Sequence, residues 1–105
     1  MARLLPGLDA LAGAQPVGEA WLVYAENRVL NGSHAGRTLQ QVADARGAAL
    51  LGRRSVARYG GQVPLLAKLL DAAAPLSVQV HPDDAYARER EASSGHLGKS
   101  EAWYV

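Results

Sequence analysis

The sequence predicts a mainly β chain with short helices, built like part of a small β-barrel or jelly roll. Three observations carry that expectation. VGEAWLVYA (Val17 to Ala25), PLSVQVHPDD (Pro75 to Asp84) and KSEAWYV (Lys99 to Val105) each alternate between two faces, the period of a strand. Turn signals such as Asn31-Gly32, Ala35-Gly36 and Gly60-Gly61 separate the periodic stretches. Polar side chains recur at i and i+2 within apolar strands, as they do where alternate residues face a barrel interior.

Taken in order, Glu19, Trp21 and Val23 share one face of the first strand, and Ala20, Leu22 and Tyr24 the other. Thr38 is placed to cap a short helix, TLQQVADAR, with Leu39, Val42 and Ala43 on one stripe and Gly47 as its stop. A loop holding Arg53, Arg54 and Gly60-Gly61 is expected next. The apolar run VPLLAKLLDA, Val63 to Ala72, fits a helix or a buried strand equally well. Beyond it Leu76, Val78 and Val80 form a core face, while Ser77, Gln79 and His81 point the other way until Pro82 ends the strand. Asp83 caps a helix whose Arg88, Glu89, Arg90 and Glu91 are solvated. A loop, SSGHLG, leads to the last strand, where Lys99, Glu101 and Trp103 share a face.

With 105 residues the chain makes one small domain, and a chain of this size hides only about 60–70% of the surface its unfolded form exposes. Eleven basic against ten acidic residues give a net charge of +1, too little for a nucleic-acid or anionic-membrane footprint. The densest basic group, Arg53, Arg54 and Arg58, has only Tyr59 beside it and reads as a solvated loop. No cysteine is present, so disulfides and thiolate metal sites are excluded and any metal must take nitrogen and oxygen ligands. The opening MARLLPGLDALAG is broken by Pro6 and Asp9, which suits neither a signal peptide nor a spanning helix. A cytoplasmic protein is the default expectation.

The polar residues that interrupt the strands are the candidate chemistry. Gln79 and His81 lie about 6.6 Å apart along a strand, close enough to converge on one small object such as a metal ion. Glu101 adds a carboxylate on a half-apolar strand, which needs a cation or donors if it is withdrawn from water. Lys99 supplies that charge equally well as a plain salt bridge, and His81 serves equally well as a cross-strand hydrogen-bond partner. The residues alone leave a metal site and a structural pairing both open. GEAW at Gly18 to Trp21 echoes SEAW at Ser100 to Trp103, a match too short to make a repeat.

The wording of three stretches goes further. PLLAKLLDA, LSVQVHPDDAYARERE and GKSEAWYV, in this order and with these gaps, resemble type I mannose-6-phosphate isomerase, also called phosphomannose isomerase. GEAW and the NG…GRTL stretch extend the likeness over most of the chain from about Val17. The resemblance implies a cupin-type jelly roll, of which this chain is the N-terminal part, an incomplete single domain over residues 1–105. It settles Leu65 to Leu70 as a strand forming a hairpin with Leu76 to His81. It makes Gln79, His81 and Glu101 ligands of one zinc ion, Lys99 a catalytic and substrate-binding lysine, and Lys68 a second lysine near the sugar phosphate. The implied reaction interconverts mannose 6-phosphate and fructose 6-phosphate by proton transfer between C1 and C2 through a cis-enediol.

The family's fourth zinc ligand, a histidine, and its catalytic arginine match no position of this chain, since His34 and His96 are its other histidines and neither sits where that ligand is expected. The resemblance therefore also fits a non-catalytic cupin remnant that binds metal or sugar phosphate. Small-molecule sugar phosphates are the expected partners, with no nucleic acid and no membrane; the oligomeric state is left open.

Overall fold

The computed structural model describes residues 17–105, and the reading of the opening MARLLPGLDALAG lies outside them. Two compact units meet in sequence between Ala73 and Ala74. The first contains β1 (Glu19–Val23), a 3-10 turn (Gly32–His34), α1 (Leu39–Arg46), α2 (Ala48–Leu51), α3 (Arg53–Tyr59) and β2 (Ala67–Leu70). The second contains α4 (Asp84–Arg90) and a 3-10 turn (Ala92–Ser94).

In the first unit β1 and β2 pair antiparallel, with Glu19 opposite Leu70, Ala20 opposite Leu69, Trp21 opposite Lys68 and Val23 opposite Ala67. An irregularity between Trp21 and Val23 shifts the register, and Asp71 N–H extends the ladder by donating to Gly18 C=O at 2.8 Å. The ambiguous run Val63 to Ala72 is thus a strand at its centre, but its partner is β1 and not Leu76 to His81. The expected hairpin fails for want of a turn. The connection Asp71 to Pro75 has neither glycine nor asparagine to supply the positive φ of a tight hairpin loop, whereas β1 offers a free edge and Glu19 to meet Lys68.

Helix exceeds strand among the described residues, a correction to the mainly β expectation. Much of it lies between Leu39 and Tyr59, a stretch rich in alanine, leucine and arginine, all good helix formers. Gly47, Gly52 and Gly60, at φ of 50°, 82° and 67°, cut it into three short helices. The expected loop around Arg53 and Arg54 is therefore α3. As expected, Thr38 caps α1: its hydroxyl accepts from Gln41 N–H while the Gln41 side chain accepts from Thr38 N–H, a full capping box. Val42 and Ala43 are buried, as their stripe predicts.

In the second unit Asp83 caps α4, its Oδ1 accepting from Tyr86 N–H at 2.8 Å, and Ala87 is buried. The expected strands Leu76 to His81 and Lys99 to Val105 join no ladder among the described residues. The expected core face is likewise exposed, Val78 at 98% and Val80 at 93%. An extended segment buries its apolar side chains only when a second layer packs on them.

Candidate functional site

His81 ends the extended segment from Pro75, and Pro82 follows it. Having no N–H but keeping its carbonyl, Pro82 accepts from Lys99 N–H at 3.0 Å. This fixes the start of the final segment beside the end of the earlier one. Lys99 and Glu101, two residues apart on an extended chain, then fall on one side.

The outcome is a compact polar cluster. His81 Nε2 lies 2.9 Å from Glu101 Oε2, and Lys99 Nζ lies 3.4 Å from the same oxygen. About a quarter of the side chain of His81 and of Glu101 remains exposed, and more than half of that of Lys99. Partial loss of water pushes the Glu101 carboxyl up. The hydrogen bonds from His81 and Lys99, together with their charges, outweigh that push and hold it below the ordinary value of 4.5.

The other two expected site residues have hydrogen-bond partners of their own. Gln79 Nε2 donates to Ser77 Oγ at 3.1 Å, which agrees with both lying on one face of an extended segment. Lys68 lies on β2 in the first unit, where its Nζ is 3.0 Å from Glu19 Oε1.

Chemically, the cluster offers one imidazole nitrogen and one carboxylate oxygen, with a glutamine amide two residues before the imidazole. Such N and O donors suit zinc or a harder divalent ion. No group of three or more His, Cys, Asp or Glu side chains gathers for a metal among the described residues. His81 and Glu101 meet across one short contact, and the nitrogen and oxygen that meet there are donor types a divalent cation takes as readily as a salt bridge does.

Sequence reasoning passed over the residues that hold this pair. Gly98 N–H donates to Asp84 Oδ1 at 3.1 Å. A Cβ at Gly98 would collide with the Asp83 carbonyl carbon and lie 2.5 Å from Asp84 N and 2.7 Å from Pro82 O. The one signal in the sequence was a glycine directly before Lys99.

Comparison with known proteins follows the same stretches. Residues 3–100 match the family model described as phosphomannose isomerase type I, catalytic domain. Among curated proteins the chain is similar to the probable mannose-6-phosphate isomerase GmuF of Bacillus subtilis, 46% identical over 100 residues that cover 88% of this chain and 28% of that protein. It is also similar to the mannose-6-phosphate isomerase ManA of Bacillus subtilis, 41% identical over 96 residues, with the same two coverages. The mannose-6-phosphate isomerase of Escherichia coli is 38% identical over 73 residues, 67% of this chain and 18% of that protein. The chain thus spans less than a third of the length of these relatives. No solved structure matches it.

Proposed function

The chain belongs to the type I phosphomannose isomerase family, and from that premise we propose that it is the ligand-bearing N-terminal part of a zinc-dependent aldose-ketose isomerase acting on mannose 6-phosphate and fructose 6-phosphate in the cytoplasm. The observation that carries the proposal is the 2.9 Å approach of His81 Nε2 to Glu101 Oε2, between two residues that local sequence separates by twenty positions.

In this reading His81, Glu101 and Gln79 hold zinc, Gln79 through Oε1 with its amide oriented by Ser77. When bound, the ion supplies Lewis-acid polarisation of a sugar oxygen. The remaining work falls to the protein. Isomerisation moves a proton between C1 and C2 through a cis-enediol and builds negative charge on the oxygens. Lys99, an ammonium ion-paired with Glu101 and largely exposed, holds such an oxygen electrostatically. Lys68, held by Glu19, keeps the phosphate-binding role that the family resemblance implies. A cupin-type jelly roll is the fold this reading assigns to the complete protein.

The test is zinc titration by calorimetry, followed by a coupled assay of fructose 6-phosphate formation. The expected result is uptake of one zinc per chain that His81→Ala abolishes. Zinc affinity untouched by His81→Ala would remove the ligand assignment. Turnover above the His81→Ala control would make this chain sufficient for the chemistry.

A second reading is favoured by one specific observation: a single oxygen of Glu101 receives both His81 and Lys99. There the cluster simply ties two extended segments together. That reading predicts that zinc neither binds nor raises the melting temperature.

A further inference from the structure

The segment that carries Glu101 to His81 is pinned two and three residues earlier. The pin has two hydrogen bonds. Gly98 N–H donates to the Asp84 carboxylate at 3.1 Å, and Lys99 N–H donates to Pro82 C=O at 3.0 Å. Between them the Gly98 Cα lies against the backbone of Pro82, Asp83 and Asp84, with no room for a methyl group. The atoms in the way are backbone, at the capped start of α4, and Asp83 is engaged there by Tyr86 N–H. They cannot swing aside as the end of a flexible side chain would.

From this we infer that Gly98 and Asp84 form a positioning clamp: the close backbone approach at Gly98, locked by the Asp84 carboxylate, sets Glu101 against His81 and so builds the metal-binding pair. The inference deepens the isomerase reading and, in its metal arm, rests on it. Neither residue is among the ligands that reading names. Their effect passes through the backbone between Gly98 and Glu101, where three residues of extended chain span roughly 10 Å. A shift of an ångström at the clamp is carried directly to the carboxylate, and a contact of 2.9 Å does not survive it. Residues that orient metal ligands commonly change affinity by about 10–100-fold when removed.

Four variants of the chain test the clamp with two readouts. One readout needs no metal: the nuclear Overhauser contact between the His81 ring and the Glu101 side-chain methylene protons. The other is zinc affinity by calorimetry. Gly98→Ala and Asp84→Ala are expected to lose the proton contact and to weaken zinc binding about 10–100-fold. Asp84→Asn keeps an oxygen acceptor for Gly98 N–H and is expected to retain both. Arg88→Ala, which removes only the 4.0 Å ion pair to Asp84, is expected to change neither.

The capped start of α4, where Asp83 accepts from Tyr86 N–H, reports in the same spectra whether the second unit of a variant is folded. Should Gly98→Ala lose that as well, the Asp84→Ala and Asp84→Asn pair decides. An unchanged proton contact in Asp84→Ala, or equal loss in Asp84→Asn and Asp84→Ala, overturns the clamp. A parent chain that shows the proton contact but takes up no zinc defeats the isomerase reading of the ligands while leaving the clamp standing.

Discussion

Glu-Ala-Trp occurs twice in this chain, at Glu19 to Trp21 and at Glu101 to Trp103, and the two carboxylates have different fates. Glu19 sits in the β1–β2 ladder. Its Oε1 takes Lys68 and its Oε2 takes the Trp21 indole N–H at 2.7 Å, so its own strand and the strand beside it engage both oxygens. Glu101 sits outside any ladder among the described residues, and a single oxygen collects both His81 and Lys99. The triplet is the same, and what it meets across the gap decides its chemistry. An ammonium and an indole N–H can only donate, so the first carboxylate is confined to a structural ion pair. An imidazole can exchange its proton for a metal, so the second can become half of a ligand set.

The largest expected effect separates the two sites directly. Glu101→Gln should lower zinc affinity by more than the roughly 10–100-fold that ligand-orienting residues cost, while Glu19→Gln leaves it unchanged. Calorimetric titration of both variants checks this, and an equal loss in the two would break the distinction.

Acid should act next, and again unequally. The Glu101 carboxyl is held below its ordinary 4.5 in the folded chain. A depressed carboxyl contributes stability that is fully present above the unfolded value and is lost as pH falls through the folded one. The His81–Glu101 contact should thus persist at pH 5 and disappear only on acidification below about 4.5, the ordinary Glu value. Chemical-shift titration of Glu101 follows it; a midpoint above 4.5 would show that loss of water, not the two donors, governs this carboxyl.

How much of this was legible in the sequence depended on the range of the interaction. Local signals read well: Thr38 and Asp83 as caps, Gly47 as a stop, and β1 from its alternation are all where the sequence puts them. Period and capping chemistry act within one turn or one strand, so a short window contains their cause. Pairing read badly. Periodicity left Val63 to Ala72 open between helix and strand, and the resemblance implied a hairpin of Leu65 to Leu70 with Leu76 to His81; β2 instead pairs with β1, some fifty residues earlier, because a register depends on the partner and on the turn that permits it, which a short window does not contain. The core face at Leu76, Val78 and Val80 failed for a related reason: alternation names the apolar side but supplies no layer to cover it. At the site, His81, Lys99 and Glu101 were visible as residue types. The Gly98 clamp was not, because a glycine needed for close approach looks the same in a sequence as one needed for a turn.

A smaller effect concerns stability in the first unit, where caps and ladder do the holding. Thr38→Ala removes the hydroxyl that accepts Gln41 N–H and leaves an amide at the α1 N-terminus without that partner. A loss of about 1 kcal/mol is expected from such caps, read as a lower urea midpoint for unfolding of helix signal. Zinc affinity should not move. A change in zinc affinity would mean that the first unit's stability governs the second unit's site.

The smallest effect is expected at the carboxylate that opened the comparison. Lys68 and Glu19 lie on one face of the β1–β2 pair at a diagonal position, with 30% and 41% of their side chains exposed. Water screens a pair of this kind, and ordering two flexible side chains offsets much of what attraction remains, so exposed pairs contribute about 0–1 kcal/mol. Lys68→Met keeps the stem on the strand and removes only the charge; it should shift the urea midpoint by little, and less as salt is raised. The same substitution carries the one point at which the two sites exchange roles. If Lys68 serves the sugar phosphate, Lys68→Met in an active isomerase should raise KM with little change in kcat, the pattern of lost uniform binding. If it serves only Glu19, stability moves slightly and both kinetic constants stay where they were.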